Sequence, residues 1–133
     1  LFRAGRGRRV FVCTTNAACY ANKRKVERLG RLGVLVLAFA GRRGKISLTD
    51  MLTWLYAERI GSLLVEGGGD VFGEFVGAGC IDELSLFLAP RFSRGGMTAF
   101  GVGASWEGKS GRVASLLETR MVGGDVLLHA VFD

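Results

Sequence analysis

The sequence predicts an α/β fold: a mostly parallel sheet flanked by helices, with an antiparallel C-terminal hairpin. Three observations carry that expectation. Short apolar runs alternate with helical patterns as far as Gly79. The run Ser62-Leu63-Leu64-Val65-Glu66 passes through Gly67-Gly68-Gly69 straight into a helical pattern. Finally, Leu116–Val122 and Asp125–Val131 flank Gly123-Gly124, and a two-residue glycine link is a strong hairpin feature.

Taken in order, residues 1–9 have no hydrophobic period and read as a basic, flexible lead-in. Val10-Phe11-Val12-Cys13-Thr14-Thr15 is a β-branched run suited to a buried strand, and Asn16 offers a turn or a helix cap. Residues 20–30 read as a polar helix that stops at Gly30 or Gly33. Val34-Leu35-Val36-Leu37 is apolar at every position, the pattern of a strand covered on both faces, and Gly41-Arg42-Arg43-Gly44 breaks it. Ser47 then caps a helix with Asp50 in its first turn and a stripe of Leu48, Met51, Leu52 and Leu55. Trp54 and Tyr56 on its flank are expected to cover the sheet or a subunit contact.

After the glycine turn, Val71, Phe72, Phe75 and Val76 mark a helix ending near Gly77 or Gly79. Leu84, Leu86 and Leu88 alternate with Ser85, Phe87 and Ala89, and Pro90 ends that strand. Residues 91–112 read as a long loop. No internal repeat or linker divides the chain, so residues 1–133 are expected to be one domain or part of one.

Composition narrows the function classes. An apolar fraction of 49% with 23% charged residues fits a globular protein. The longest apolar run, residues 34–40, is far short of the roughly 20 residues that span a bilayer, and no membrane role is expected. Cys13, Cys19 and Cys80 are odd in number and have neither C-x-x-C nor zinc-ligand spacing. Reduced, mostly buried thiols in a cytoplasmic protein are therefore expected, with no metal. Residues 1–45 carry +11 and the remainder −5. A basic half suits nucleic acid or a polyanionic cofactor, but Lys23, Arg24, Lys25, Arg28 and Arg31 fall on one predicted helix, where a solvated face is the simpler reading.

The chemistry lies in Leu63-Leu64-Val65-Glu66-Gly67-Gly68-Gly69-Asp70-Val71-Phe72-Gly73. A strand feeding through glycines into a helix offers unpaired N–H groups and the positive helix end to a phosphate, where a Cβ would stand in the way. In open α/β sheets such loops lie at the strand ends where ligands bind. The turn is no Rossmann fingerprint, because Phe72 occupies the third glycine position, and no G-K-[ST] follows as in a Walker loop. On its own the turn is either a phosphate site or only a tight connection.

Its companions are more specific. Leu64-Val65-Glu66-Gly67-Gly68, a helix, Ala78-Gly79-Cys80-Ile81-Asp82-Glu83-Leu84, Leu86-Phe87-Leu88-Ala89-Pro90, a glycine-rich stretch and Gly124-Asp125 follow one another in that order. Together they resemble the C-terminal reductase domain of the bacterial bifunctional riboflavin deaminase–reductase family, across roughly residues 46–132. The resemblance implies a dihydrofolate-reductase-like fold whose first strands lie upstream of Leu1, and an upstream deaminase domain in a longer polypeptide. It also implies NADPH-dependent reduction of 5-amino-6-(5-phosphoribosylamino)uracil to the ribitylamino product.

By the same resemblance, Gly67, Gly68, Gly69, Asp70, Val71, Phe72, Gly73 and Glu74 bind NADPH, lining its pyrophosphate. Glu66 faces the sugar of the pyrimidine ribosyl phosphate substrate, unless it is simply an exposed strand-end acid. Thr14 and Thr15 resemble the hydroxyl pair on the adenosine side of the cofactor, or else cap their turn. No catalytic nucleophile is implied.

One departure concerns charge: where the family often has a small residue, Thr and Leu after its two glycines, this chain has Gly69, Asp70 and Val71. Asp70 opposes a pyrophosphate unless it turns away to cap the helix.

His129, the sole histidine, is expected to be structural. The hairpin offers an edge strand, so a homodimer is expected. The alternatives are a related reductase of another pterin or pyrimidine, or a non-catalytic fragment acting in dimer assembly or nucleic-acid binding.

Overall fold

The computed structural model describes residues 8–91, 95, 99–100 and 113–132. The first seven residues of the lead-in and most of the expected long loop lie outside them. The chain forms two compact units, Leu1–Leu63 and Leu64–Asp133.

In the first unit, β1 (Val10–Thr15) and β2 (Val34–Phe39) pair in parallel, Val10 opposite Val34 and Thr15 opposite Phe39. The connection is α1 (Asn16–Ala21) and α2 (Lys23–Arg31), so helix begins earlier than residue 20 and in two pieces. Thr15, not Asn16, is the cap: its hydroxyl oxygen accepts from the Ala18 N–H at 3.1 Å. Asn22 separates the helices, because its side-chain amide donates to the Ala18 carbonyl at 2.8 Å while its own backbone leaves helical geometry. Val26 and Leu29 are half-buried on α2, while all five of its expected solvated cations are exposed.

Val34 and Phe39, at opposite ends of β2, form the buried core of this unit, and Leu35 between them is 50% exposed. The double coverage expected of this strand is therefore incomplete. The break after it is itself a small hairpin, β3 (Gly41–Arg42) with β4 (Lys45–Ile46). Arg43 and Gly44 turn it with φ of +54° and +79°, a left-handed pair that glycine eases.

Helix α3 (Leu48–Ala57) starts at Ser47, whose hydroxyl oxygen accepts from the Asp50 N–H, as expected. Its Leu48, Met51, Leu52 and Leu55 stripe is half-buried. Trp54 meets Phe11 of β1 edge-on, with ring centroids 5.1 Å apart, and so covers the sheet. Arg9 lies 4.8 Å from the Phe11 ring centroid and bonds Glu58 at 2.6 Å, tying the start of β1 to the end of α3. Tyr56 is 81% exposed and covers nothing in this unit.

In the second unit, α4 (Gly69–Gly77) follows the glycine turn and buries Gly73 and Phe75. β5 (Glu83–Leu88), β6 (Leu116–Val122) and β7 (Asp125–Val131) form an antiparallel sheet in the order β5-β7-β6, with Leu127 and Ala130 of the central strand buried. Gly123, at the first position of the β6–β7 turn, has φ of +63°, which a side chain would strain.

The α/β class and the terminal hairpin match expectation, but the sheet detail does so only in part. Among the described residues the parallel pairing is confined to β1 and β2. Residues 62–66 carry no strand. An apolar run becomes a strand only where a neighbour presents its N–H and C=O groups, and no ladder reaches this one, leaving Leu64 81% exposed.

All three cysteines are free. Cys13 and Cys19 are half-buried, and burial pushes the Cys13 thiol pKa up. Cys80 is exposed, contrary to the expected burial, because it follows the end of α4 in a surface turn.

Candidate functional site

The glycine turn belongs to the second unit. Gly68 precedes α4 with φ of −81° and ψ of 175°, and with no side chain it forms no cap hydrogen bond. The first helical bond runs from the Phe72 N–H to the Gly68 carbonyl at 3.1 Å. The N–H groups of Gly69, Asp70 and Val71 stand ahead of that bond, at the positive end of the helix.

The neighbouring glycines differ in kind. A Cβ on Gly67 would lie 2.7 Å from Cβ and 2.9 Å from Cγ1 of Val71, so close packing on α4 excludes a side chain there. A Cβ on Gly68 would meet nothing within 4 Å. The space in front of the helix end is open, and the Gly68 backbone would accept any residue.

Asp70 is exposed in the first turn of α4, and it does not cap the helix. Phe72 is half-buried and Val71 is 45% exposed. Gly73 is buried and Glu74 half-buried one turn farther along, away from the helix end. Glu66 is exposed, two residues before the cap.

Thr14 and Thr15 belong to the first unit, at the C-terminal end of β1. The Thr15 hydroxyl is engaged in capping α1. Sequence reasoning missed the nearby hairpin. A Cβ on Gly41 would lie 2.5 Å from Cγ2 of Thr15 and 2.7 Å from the Lys45 carbonyl oxygen, so this glycine lets β3 lie against the end of β1. Arg42 and Arg43, both exposed, are thereby carried to the neighbourhood of Thr15. The pattern that could have revealed it is Gly41-Arg42-Arg43-Gly44-Lys45, a short hairpin ending its turn on glycine.

His129 lies 3.7 Å from Glu83 through its Nε2, on the face of the terminal sheet. Two surface hollows, of about 490 Å³ beside Tyr56 and Arg59 and about 250 Å³ beside Glu118 and His129, include none of the expected site residues. Among the described residues no three His, Cys, Asp or Glu side chains gather as a metal site, and no helix is long and apolar enough to cross a membrane.

These elements define a mixed α/β fold. The fold matches that of a pyrimidine reductase-like protein from Corynebacterium diphtheriae with a TM-score of 0.72, at 18% sequence identity, covering 99% of this chain and 54% of that one. The family model of the RibD C-terminal domain matches residues 2–127, and the chain belongs to that family. The riboflavin biosynthesis protein RibD of Bacillus amyloliquefaciens is 41% identical over 73 residues, 55% of this chain and 19% of that protein. The RibD of Actinobacillus pleuropneumoniae is 28% identical over 109 residues, 80% of this chain and 29% of that protein. The chain thus spans less than a third of the length of these curated relatives, and about half of the solved one.

Proposed function

We propose that the chain is the nucleotide-binding part of an NADPH-dependent reductase that converts 5-amino-6-(5-phosphoribosylamino)uracil to its ribitylamino counterpart in riboflavin biosynthesis. In this reading both units are parts of one reductase domain, since the family match runs through both. The observation that carries it is the bare N-terminus of α4, with open space at Gly68, inside a RibD C-terminal domain.

The residues present suit a dinucleotide phosphate. The N–H groups of Gly69, Asp70 and Val71 can donate to pyrophosphate oxygens without displacing any side chain. Gly67 and Phe72 hold the turn and the helix in place, and Gly73 lets the helix sink into its unit. Glu74 contributes at the margin of the site. Thr14 and Thr15 meet the adenosine side, where Arg42 and Arg43 add positive charge suited to a polyanion.

The bound cofactor supplies a hydride for C1′ of the opened sugar. Glu66 accepts hydrogen bonds from ribose hydroxyls and stabilises positive charge at the reacting carbon. The chain's part is positioning and charge, not nucleophilic attack. An upstream deaminase domain, a cytoplasmic location and a homodimeric state complete the proposal.

Saturation binding of NADPH to the intact polypeptide tests it, with Gly68→Val as the blocked variant. Nothing within 4 Å obstructs the new side chain, so the fold should be retained with no more than about 1 kcal/mol lost to the poorer valine N-cap. The Kd should be raised by roughly thirtyfold or more, about 2 kcal/mol of charge-assisted hydrogen bonding. Equal affinity in the two proteins would remove the pyrophosphate site. In the intact polypeptide, Glu66→Gln should lower turnover while leaving NADPH binding unchanged.

A further inference from the structure

Among the described residues, the outer strand of the terminal sheet has an exposed surface and an unpaired hydrogen-bonding edge. All seven residues of β6 are exposed, with Leu117 61% and Met121 66% accessible. Among the described residues β6 pairs with β7 alone. An open edge of this kind is a template for another strand.

The direction of its free groups follows from the neighbouring ladder. The Phe132 N–H donates to the Asp82 carbonyl at 2.8 Å, so even-numbered residues of β7 face β5 and odd-numbered ones face β6. Val131, His129, Leu127 and Asp125 stand opposite Leu116, Glu118, Arg120 and Val122. Those four residues of β6 therefore bond inward, and Leu117, Thr119 and Met121 direct their N–H and C=O groups outward.

The sequence of β6, Leu116-Leu117-Glu118-Thr119-Arg120-Met121-Val122, is self-complementary about Thr119. We propose that β6 pairs antiparallel with β6 of a second copy of this chain about a twofold axis at Thr119, joining the two sheets in the order β5-β7-β6-β6-β7-β5. This register places Leu117 opposite Met121 and Thr119 opposite itself, all with outward-facing backbone groups. It also places Glu118 opposite Arg120 of the other copy, twice. These are non-hydrogen-bonded positions, where facing side chains come closest.

Charge selects this register from its neighbours. Centring the pair on Glu118 or on Arg120 would set like charges against each other across the axis, which is unfavourable. A shift by one residue between strands would oppose outward-facing groups to inward-facing ones and break the ladder. The proposal rests on the homodimer reading and is independent of the nucleotide site.

Sedimentation of the full chain over a concentration series, with circular dichroism to verify folding, tests it. The wild type is expected at twice the chain mass. Glu118→Arg and Arg120→Glu each create like-charge pairs and should weaken the dimer at least about tenfold. The double variant E118R/R120E restores opposite charges and should return to within about threefold of wild type. Thr119→Pro removes only an outward N–H, which an edge strand tolerates, and should give a folded monomer even if a charge variant fails to fold. A wild-type monomer at every concentration would overturn both the dimer reading and this pairing. A dimer unaffected by Thr119→Pro, or not recovered in the double variant, would overturn the pairing and leave the dimer reading standing.

Discussion

Two of the turns that lead into helices in this chain start their helices in opposite ways. At α1 the chain supplies its own acceptor, the Thr15 hydroxyl oxygen bonded to the Ala18 N–H. At α4 it supplies none: Gly68 has no side chain, and the space beyond is open. A capped turn is satisfied within the protein, whereas a bare one keeps its N–H groups available to an anion from outside. The contrast explains why the proposed pyrophosphate site is placed at α4 and not at α1, although both turns follow extended chain.

Gly67→Ala should have the largest effect on stability. The added Cβ meets Val71 at 2.7 Å, and both backbone and a β-branched side chain must give way. A loss of about 1–3 kcal/mol is expected from overpacking, measured by chemical denaturation. Val71→Ala in the same chain should recover only part of it, because it removes Cγ1 and Cγ2, at 2.9 and 3.3 Å, and keeps the Cβ at 2.7 Å. A loss that Val71→Ala leaves in full would assign it to the backbone and the Val71 Cβ and not to the two methyl groups.

Next comes Thr15→Ala, which strips the capped turn of its acceptor. The expected loss is about 1 kcal/mol, with Thr15→Ser close to wild type. The same substitution has no counterpart at α4, where there is no side chain to remove. If Thr15→Ala leaves the melt unchanged, the hydroxyl contributes nothing as a cap and its role lies wholly with the ligand.

How much of this contrast was legible in the sequence depends on what each feature requires. Hairpin strands Leu116–Val122 and Asp125–Val131 were readable to the residue, because alternation and a two-residue glycine turn are local. The Ser47 cap was likewise local. Residues 62–66 were not readable, since a strand depends on its partner as much as on its own Leu63, Leu64 and Val65. Asn16 and Thr15 were both open as caps, and only the backbone path shows which of two adjacent polar residues precedes the first helical turn. At the site, the triple glycine was plain, but not that Gly67 is required by Val71 while Gly68 is free. That distinction depends on where a Cβ would point.

Asp70 tests the electrostatics of the bare turn with a smaller effect. It lies exposed in the first turn of α4, where a carboxylate favours the helix but repels a phosphate. Asp70→Asn should tighten NADPH binding by about two- to fivefold, corresponding to roughly 0.3–1 kcal/mol. The gain should shrink as salt is raised, since exposed charges are screened. An affinity that falls on removing the carboxylate would place the cofactor phosphates elsewhere.

The smallest expected effect comes from making the second turn resemble the first. Gly68→Ser gives α4 the acceptor that Thr15 gives α1, and nothing within 4 Å obstructs the new side chain. Without nucleotide the variant should be more stable than wild type by a few tenths of a kcal/mol, the ordinary difference between glycine and serine at this position. With saturating NADPH the order should reverse, because the serine oxygen then occupies an N–H that the pyrophosphate would use, and a ligand stabilises only in proportion to its affinity. Paired thermal melts with and without NADPH read both signs. A variant more stable under both conditions would mean that the N–H groups of Gly69, Asp70 and Val71 do not serve the cofactor, and that α4 is bare for reasons of packing alone.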